Sequence, residues 1–173
     1  MAEIKRVYSQ SLPAMKFVGR CYTEVDKENG TFANKWGEWF SKGLFEPLAY
    51  PGDSEPFEDC NAFYGLCRIK EGEEFNYWIG AFLPPDAPVP EGYDSLDFDA
   101  GEIAVCWVYG KEPDIYFHCC FDRLKEEGYE WTADKNGVRW MMERYTCPRY
   151  TQPDDEGNVI LDMCFYTGFA ISD

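Results

Sequence analysis

The run VRWMMERY, Val138 to Tyr145, sets one carboxylate, Glu143, among bulky apolar and aromatic residues of strand-like composition. Side chains alternate between the two faces of a strand, so Arg139, Met141, Glu143 and Tyr145 share one face, and Val138, Trp140, Met142 and Arg144 the other. A carboxylate among aromatics is costly if left unpaired, so it must reach water or meet a cation. One outcome is an ion pair with Arg144 or with Arg139, the latter roughly 13 Å away along the strand. The other is a ring-lined hollow with Glu143 as its floor charge. There a flat organic cation pairs with the acid and stacks on aromatic faces, each stack contributing about 0.5–2 kcal/mol. Burial favours the neutral acid, and a bound cation favours the ionised one.

Other chemistry is harder to assemble. The single histidine, His118, lies beside Cys119 and Cys120 on a segment of helical pattern. A metal site needs three or four converging ligands, and a Cys–His pair needs an orienting third group. Consecutive residues of a helix do not face one another. His118 therefore reads as a core or surface helix residue, and neither a metal nor a cofactor is expected. No G-x-S-x-G elbow, phosphate-binding loop or dinucleotide glycine pattern occurs. WGEWF and YWIG offer ring platforms for single-stranded nucleic acid, but no basic groove accompanies them.

The net charge of −16 repels phosphate backbones, so direct nucleic-acid binding is not expected, whereas cationic or neutral ligands are favoured. With 173 residues, 45% hydrophobic and 18% aromatic, the chain is one folded domain, 1–173, with more rings than a core of this size demands. They fill a core or line a cleft. The start, MAEIKRVYSQ, has no apolar leader and no run of about 18 apolar residues follows, so a cytoplasmic protein without membrane partners is expected. The eight cysteines lie mostly in apolar segments and form no C-x-x-C pair; they read as reduced thiols.

The elements that must position these groups follow from periodicity. Residues 1–12 read as a polar lead-in. Strands are expected at Ala14 to Val25, Ala62 to Ile69, Phe75 to Leu83, Gly101 to Tyr109, Val138 to Cys147 and Val159 to Phe169. Helical spacing marks Phe32 to Leu44, with Trp36 and Trp39 on its apolar face, Thr31 as N-cap and Gly43 as stop. It marks Asp114 to Gly128 as well. Glu46 to Asn61 is a long loop, and Pro84 to Tyr93 an extended crossover.

Strand, helix, strand, strand thus occurs twice. A shift of roughly 85 places lays Cys21 on Cys106, Tyr22 on Trp107, Trp36 on Phe121, Trp39 on Leu124 and Gly43 on Gly128, which suggests duplicated halves, about 14–83 and 98–169. The expected class is α+β: an antiparallel sheet from two such units, both helices on one face, and a ligand on the other face or in the groove between the halves.

ERY at Glu143 to Tyr145 followed by Pro148, PEGYDSLDFDAGEIAVCWVYG at Pro90 to Gly110, YG at Tyr64–Gly65 and FNYWIG at Phe75 to Gly80 together resemble the GyrI-like effector-binding domains. These occur alone or as C-terminal sensor modules of AraC-type and MerR-type bacterial regulators. The resemblance runs from Lys16 to Phe169. It implies the duplicated fold and a central pocket for amphipathic, often cationic aromatic compounds. In multidrug-sensing members a strand Glu meets the positive charge, which carried over is Glu143. A second acidic position of the last strand falls on Asp162, where the family more often has Glu. Tyr64, Tyr77 and Trp107 match pocket positions. No helix-turn-helix or basic segment accompanies the domain here, so a partner regulator protein is implied if it acts in transcription.

Two functions follow. One is a stand-alone sensor or sequestering module for lipophilic cations or aromatic compounds, with Glu143, Tyr145, Met141, Tyr64, Tyr77, Trp107, Tyr109, Asp162 and Trp39 as ligand-binding residues. The other, implied by the ring-opening activity of some GyrI-like proteins, is a hydrolase of strained electrophiles. In that case Glu143 is the general base, and Tyr145 or Tyr109 orients water or donates a proton.

Overall fold

Alternation of apolar side chains turns the six expected segments into strands, and two further strands join them in one antiparallel sheet. The computed structural model describes residues 2–50, 56–116 and 120–168. In chain order the elements are β1 (Glu3–Leu12), β2 (Met15–Tyr22), α1 (Ala33–Ser41), β3 (Phe63–Lys70), β4 (Asn76–Leu83), β5 (Asp94–Phe98), β6 (Gly101–Gly110), α2 (Cys120–Glu126), β7 (Val138–Tyr145) and β8 (Val159–Gly168). The sheet order is β1-β6-β8-β7-β3-β4-β2-β5, an α+β fold. Each repeated run contributes three strands in matching places, β2-β4-β3 on one side and β6-β8-β7 on the other. They meet where β3 pairs with β7.

Two expectations need correction. Residues 1–12 are no lead-in, because Glu3–Leu12 pairs along β6 from Glu3↔Tyr109 to Leu12↔Gly101. Past the proline-rich crossover, in a stretch to which no element was assigned, lies a further strand, β5, that pairs with β2. Both are edge strands. Paired on one side only and largely solvated, they carry the charged composition that sequence patterning reads as loop. The second helical segment is also broken: Asp114–Tyr116 forms a 3-10 turn and α2 begins at Cys120, while His118 and Cys119 lie outside the described residues.

The helices close alike. Gly43 (φ 64°) and Gly128 (φ 84°) take the left-handed conformation that glycine adopts without a Cβ penalty. The next N–H then returns to the helix, Leu44 to the Trp39 carbonyl (2.9 Å) and Tyr129 to the Leu124 carbonyl (2.8 Å). The 85-residue shift holds at these caps. It fails on the strands, where Cys21 packs on one face of the sheet and Cys106 on the other. An odd slip on a two-residue period always exchanges faces. At the helix start Phe32 is the N-cap, and the Thr31 hydroxyl accepts the Ala33 N–H (3.3 Å).

One face carries both helices, with α1 over Val18, Tyr22 and Ile79 and α2 over Ala104, Cys106 and Phe165. The other face is curled around Phe17, Leu66, Phe82, Phe98, Trp140 and Met142. Phe98, on edge strand β5, lies 5.6 Å from the Trp140 ring on β7 and 6.3 Å from Tyr166 on β8, which only a strongly curved sheet permits. Of the cysteines among the described residues, Cys147 alone is exposed. No described helix is long and apolar enough to cross a membrane.

Candidate functional site

Glu143 stands where the two halves meet. Its β3 neighbour in register is Gly65 and its β8 neighbour is Met163. It projects to the helix-bearing face, as the alternation along VRWMMERY requires. The two residues that pack against both helix-side clusters, Trp36 of α1 and Met141 of β7, flank this junction.

The carboxylate is held by phenols. Tyr77 donates to Oε1 at 2.5 Å and Tyr145 to Oε2 at 3.2 Å. Trp36 donates its indole N–H to the Tyr77 hydroxyl at 2.9 Å. Rings enclose the group: Phe32 stacks on Tyr77 (4.4 Å, 5° between planes), and Trp36 meets Tyr145 edge-on at 4.9 Å. From Tyr145 the polar chain continues outward through Tyr116 (3.4 Å between hydroxyls) to Glu112, which also accepts from Tyr150. Among the described residues Glu143 makes no ion pair. Part of the residue reaches the surface, yet both oxygens lie under hydroxyl groups. Burial raises its pKa above the ordinary carboxylate value, against the lowering effect of the Tyr77 and Tyr145 hydrogen bonds. Burial, then the nearby Glu143 charge, pushes both phenols well above theirs, so they remain donors.

Gly65 makes this arrangement possible. A Cβ there would come within 2.2 Å of the Tyr77 hydroxyl and 2.8 Å of Glu143 Oε1. A glycine inside a strand often marks the close approach of another group, and AFYGLCRI carried that signal. Gly65, Trp36 and Phe32 all belong to the site without having been singled out for it. The chief signal for Trp36 was the density of rings in WGEWF.

Beside this cage, where β3 begins and β4 and β7 end, a cavity of about 420 Å³ opens between Phe45, Tyr50, Phe63, Tyr145 and Cys147. Tyr145 belongs to both, lining the cavity while its hydroxyl is bonded to Glu143.

Among the residues expected to bind ligand, Glu143, Tyr145, Met141 and Tyr77 come together here. Trp39 shares the face but is wholly buried, donating to the Tyr22 hydroxyl (2.8 Å) in the packing under α1. Tyr64, Trp107, Tyr109 and Asp162 point through the sheet to the curled face. Tyr64 is buried and donates to the Asp59 carbonyl (3.0 Å), and Tyr109 bonds Asp154 and Asn158. Asp162, fully buried, is bound by Arg144 (2.9 Å) and Arg149 (2.5 Å), with Asp59 completing the cluster; Arg149 also lies 4.5 Å over the Trp107 ring. Arg144, an early candidate partner for Glu143, is thus committed on the other face, and Arg139 is exposed. No group of three or more His, Cys, Asp or Glu among the described residues is placed to hold a metal.

The same fold recurs in solved structures. A Staphylococcus aureus MU50 protein described as a candidate bacterial transcription regulation protein superposes with a TM-score of 0.60 at 14% identity, over 95% of this chain and 99% of its own. SAV2435, solved bound to tetraphenylphosphonium, superposes with a TM-score of 0.62 at 15% identity, over 96% of this chain and 95% of its own. At such identities the likeness is one of fold. No protein-family model matches the chain, and no curated protein does.

Proposed function

We propose that this chain is a small-molecule-binding module of the GyrI-like kind, taking flat lipophilic cations with Glu143 as their charge partner. One observation carries the reading: a desolvated carboxylate without a cationic partner among the described residues, caged by Trp36, Phe32, Tyr77 and Tyr145 and adjoining an apolar cavity. An arriving cation satisfies the acid, while its rings take the place of aromatic contacts the protein now makes with itself. The fold shared with a tetraphenylphosphonium-bound protein and with a candidate regulator supports it. So does the acidity of the chain, which concentrates cations around it. The module acts as a sensor or sequestering protein, delivering its signal through a partner regulator. Calorimetric titration of tetraphenylphosphonium, and of the neutral triphenylphosphine oxide, into the wild type and Glu143→Gln is the test. Equal cation affinities for the two proteins would remove Glu143 from the mechanism.

The chain of hydroxyls Tyr145–Tyr116 leading from Glu143 to Glu112 favours a second reading, hydrolysis of strained rings. Glu143, its pKa raised, takes a proton from water and Tyr145 protonates the opened ring. Incubation with a reactive cyclopropane decides between them. Product beyond one equivalent, lost in Glu143→Gln, marks an enzyme, and binding without product marks a sensor.

A further inference from the structure

Glu143 has a counterpart, a second carboxylate held by phenols. Glu112, in the connection that follows β6, accepts from the hydroxyls of Tyr116 (3.2 Å) and Tyr150, much as Glu143 accepts from Tyr77 and Tyr145. Neither acid makes an ion pair among the described residues. Steps of 3.2, 3.4 and 3.2 Å lead from Glu143 through the hydroxyls of Tyr145 and Tyr116 to Glu112, so the nearest oxygens of the two acids lie at most about 10 Å apart.

A phenol carries a single proton. Tyr145 spends its proton on Glu143 and Tyr116 spends its own on Glu112, so between the two hydroxyls oxygen meets oxygen at 3.4 Å. Neither acid draws on the donors of the other, and each is a separate negative end. Rings run between them. Tyr145 stands edge-on to Trp36 at 4.9 Å on the Glu143 side and to Tyr150 at 4.6 Å on the Glu112 side. The Glu143 end is enclosed, whereas Glu112 is exposed and Tyr116 is 38% exposed, so the far end is open to a ligand from solvent. A ligand with one charge answers Glu143 and leaves Glu112 without a cation.

We infer that the ligand site extends to Glu112 and selects aromatic dications. One cationic group meets Glu143, the other meets Glu112, and the ring between them lies along Trp36, Tyr145 and Tyr150. This rests on the reading of Glu143 as a charge partner and adds the second charge of the ligand. The net charge of −16 draws any dication toward the protein, and a control acid separates that general attraction from the local one.

The probes are p-xylylenediamine and 4-methylbenzylamine, both protonated at neutral pH, which differ by one ammonium group on the same ring. Titrated into the full chain by NMR, the diamine is expected to bind about tenfold more tightly, about twofold of this being statistical because its two ends are equivalent. Glu112→Gln, at an exposed position, lowers that ratio about fivefold. Glu71→Gln, which removes an exposed acid from the β3–β4 turn, leaves the ratio as it is. Glu143→Gln weakens both probes, because each places an ammonium there. A wild-type ratio of about two or less, a ratio untouched by Glu112→Gln, or one lowered as much by Glu71→Gln would overturn the dication inference and leave the role of Glu143 standing. If neither probe binds saturably, or if Glu143→Gln leaves 4-methylbenzylamine binding as tight as before, the Glu143 reading fails and this inference with it.

Discussion

Replacing Glu143 by Gln separates what the carboxylate does for ligands from what it does to the fold. Gln keeps the shape and one acceptor. The Tyr77 hydroxyl, 2.5 Å from Oε1, retains its bond to that acceptor, and the amide donates to the Tyr145 hydroxyl, which turns to Tyr116. The hydrogen-bond inventory therefore changes by about 1 kcal/mol at most. For a cation about 4 Å away the charge matters far more: at an effective dielectric of about 20 the pair is worth about 4 kcal/mol, and part of that is spent on dehydration. A net loss of about 2–4 kcal/mol means tetraphenylphosphonium binds Glu143→Gln about 30- to 1,000-fold more weakly. Triphenylphosphine oxide changes little.

The ligand-free protein should respond in the opposite sense. Burial raises the Glu143 pKa in the folded state, so between the unfolded and the folded pKa the folded chain binds more proton at this site than the unfolded chain does. Its destabilising effect is absent below the unfolded value of about 4.3 and grows as pH rises through the interval up to the folded pKa. Glu143→Gln removes it. The melting temperature of the variant minus that of the wild type should increase from about pH 4 to pH 7. A difference that stays flat or falls with pH, or undiminished cation binding by the variant, would refute the reasoning.

Three further outcomes are expected. Gly65→Ala drives a methyl into the Tyr77 hydroxyl, 2.2 Å away, and breaks its bonds to Glu143 and Trp36. About 2 kcal/mol is lost, roughly 4–8 °C in melting temperature, and cation binding weakens with it; an unchanged melt would show that the cage yields freely. Trp36→Ala takes away the ring above the acid and should cost about 5- to 30-fold in affinity for aromatic cations, read by dye fluorescence titration. Arg144→Leu leaves the fully buried Asp162 with Arg149 alone, lowering stability by about 3 kcal/mol in denaturant unfolding while sparing cation binding across the sheet. Equal denaturation midpoints would mean the Arg149 pair suffices.

Local pattern was enough to place Glu143 with Met141 and Tyr145 on one face of β7, to find both helix ends, and to foresee an antiparallel α+β sheet from repeated units. Period two along a strand, and a glycine that closes a helix, are properties of neighbouring residues, so one sequence suffices to read them. Edge strands β1 and β5 escaped because pairing on one side asks little of composition. Which tyrosines meet Glu143 was another matter. Tyr77 reaches it from β4, two strands away, because Gly65 between them has no side chain, while Tyr64, one residue earlier on β3, points through the sheet. The same one-residue parity sends Asp162 and Trp107 to the curled face, where two arginines claim the acid. Register between strands distant in sequence decides such meetings. It is set by the packing of the whole sheet, and no window of the chain contains it.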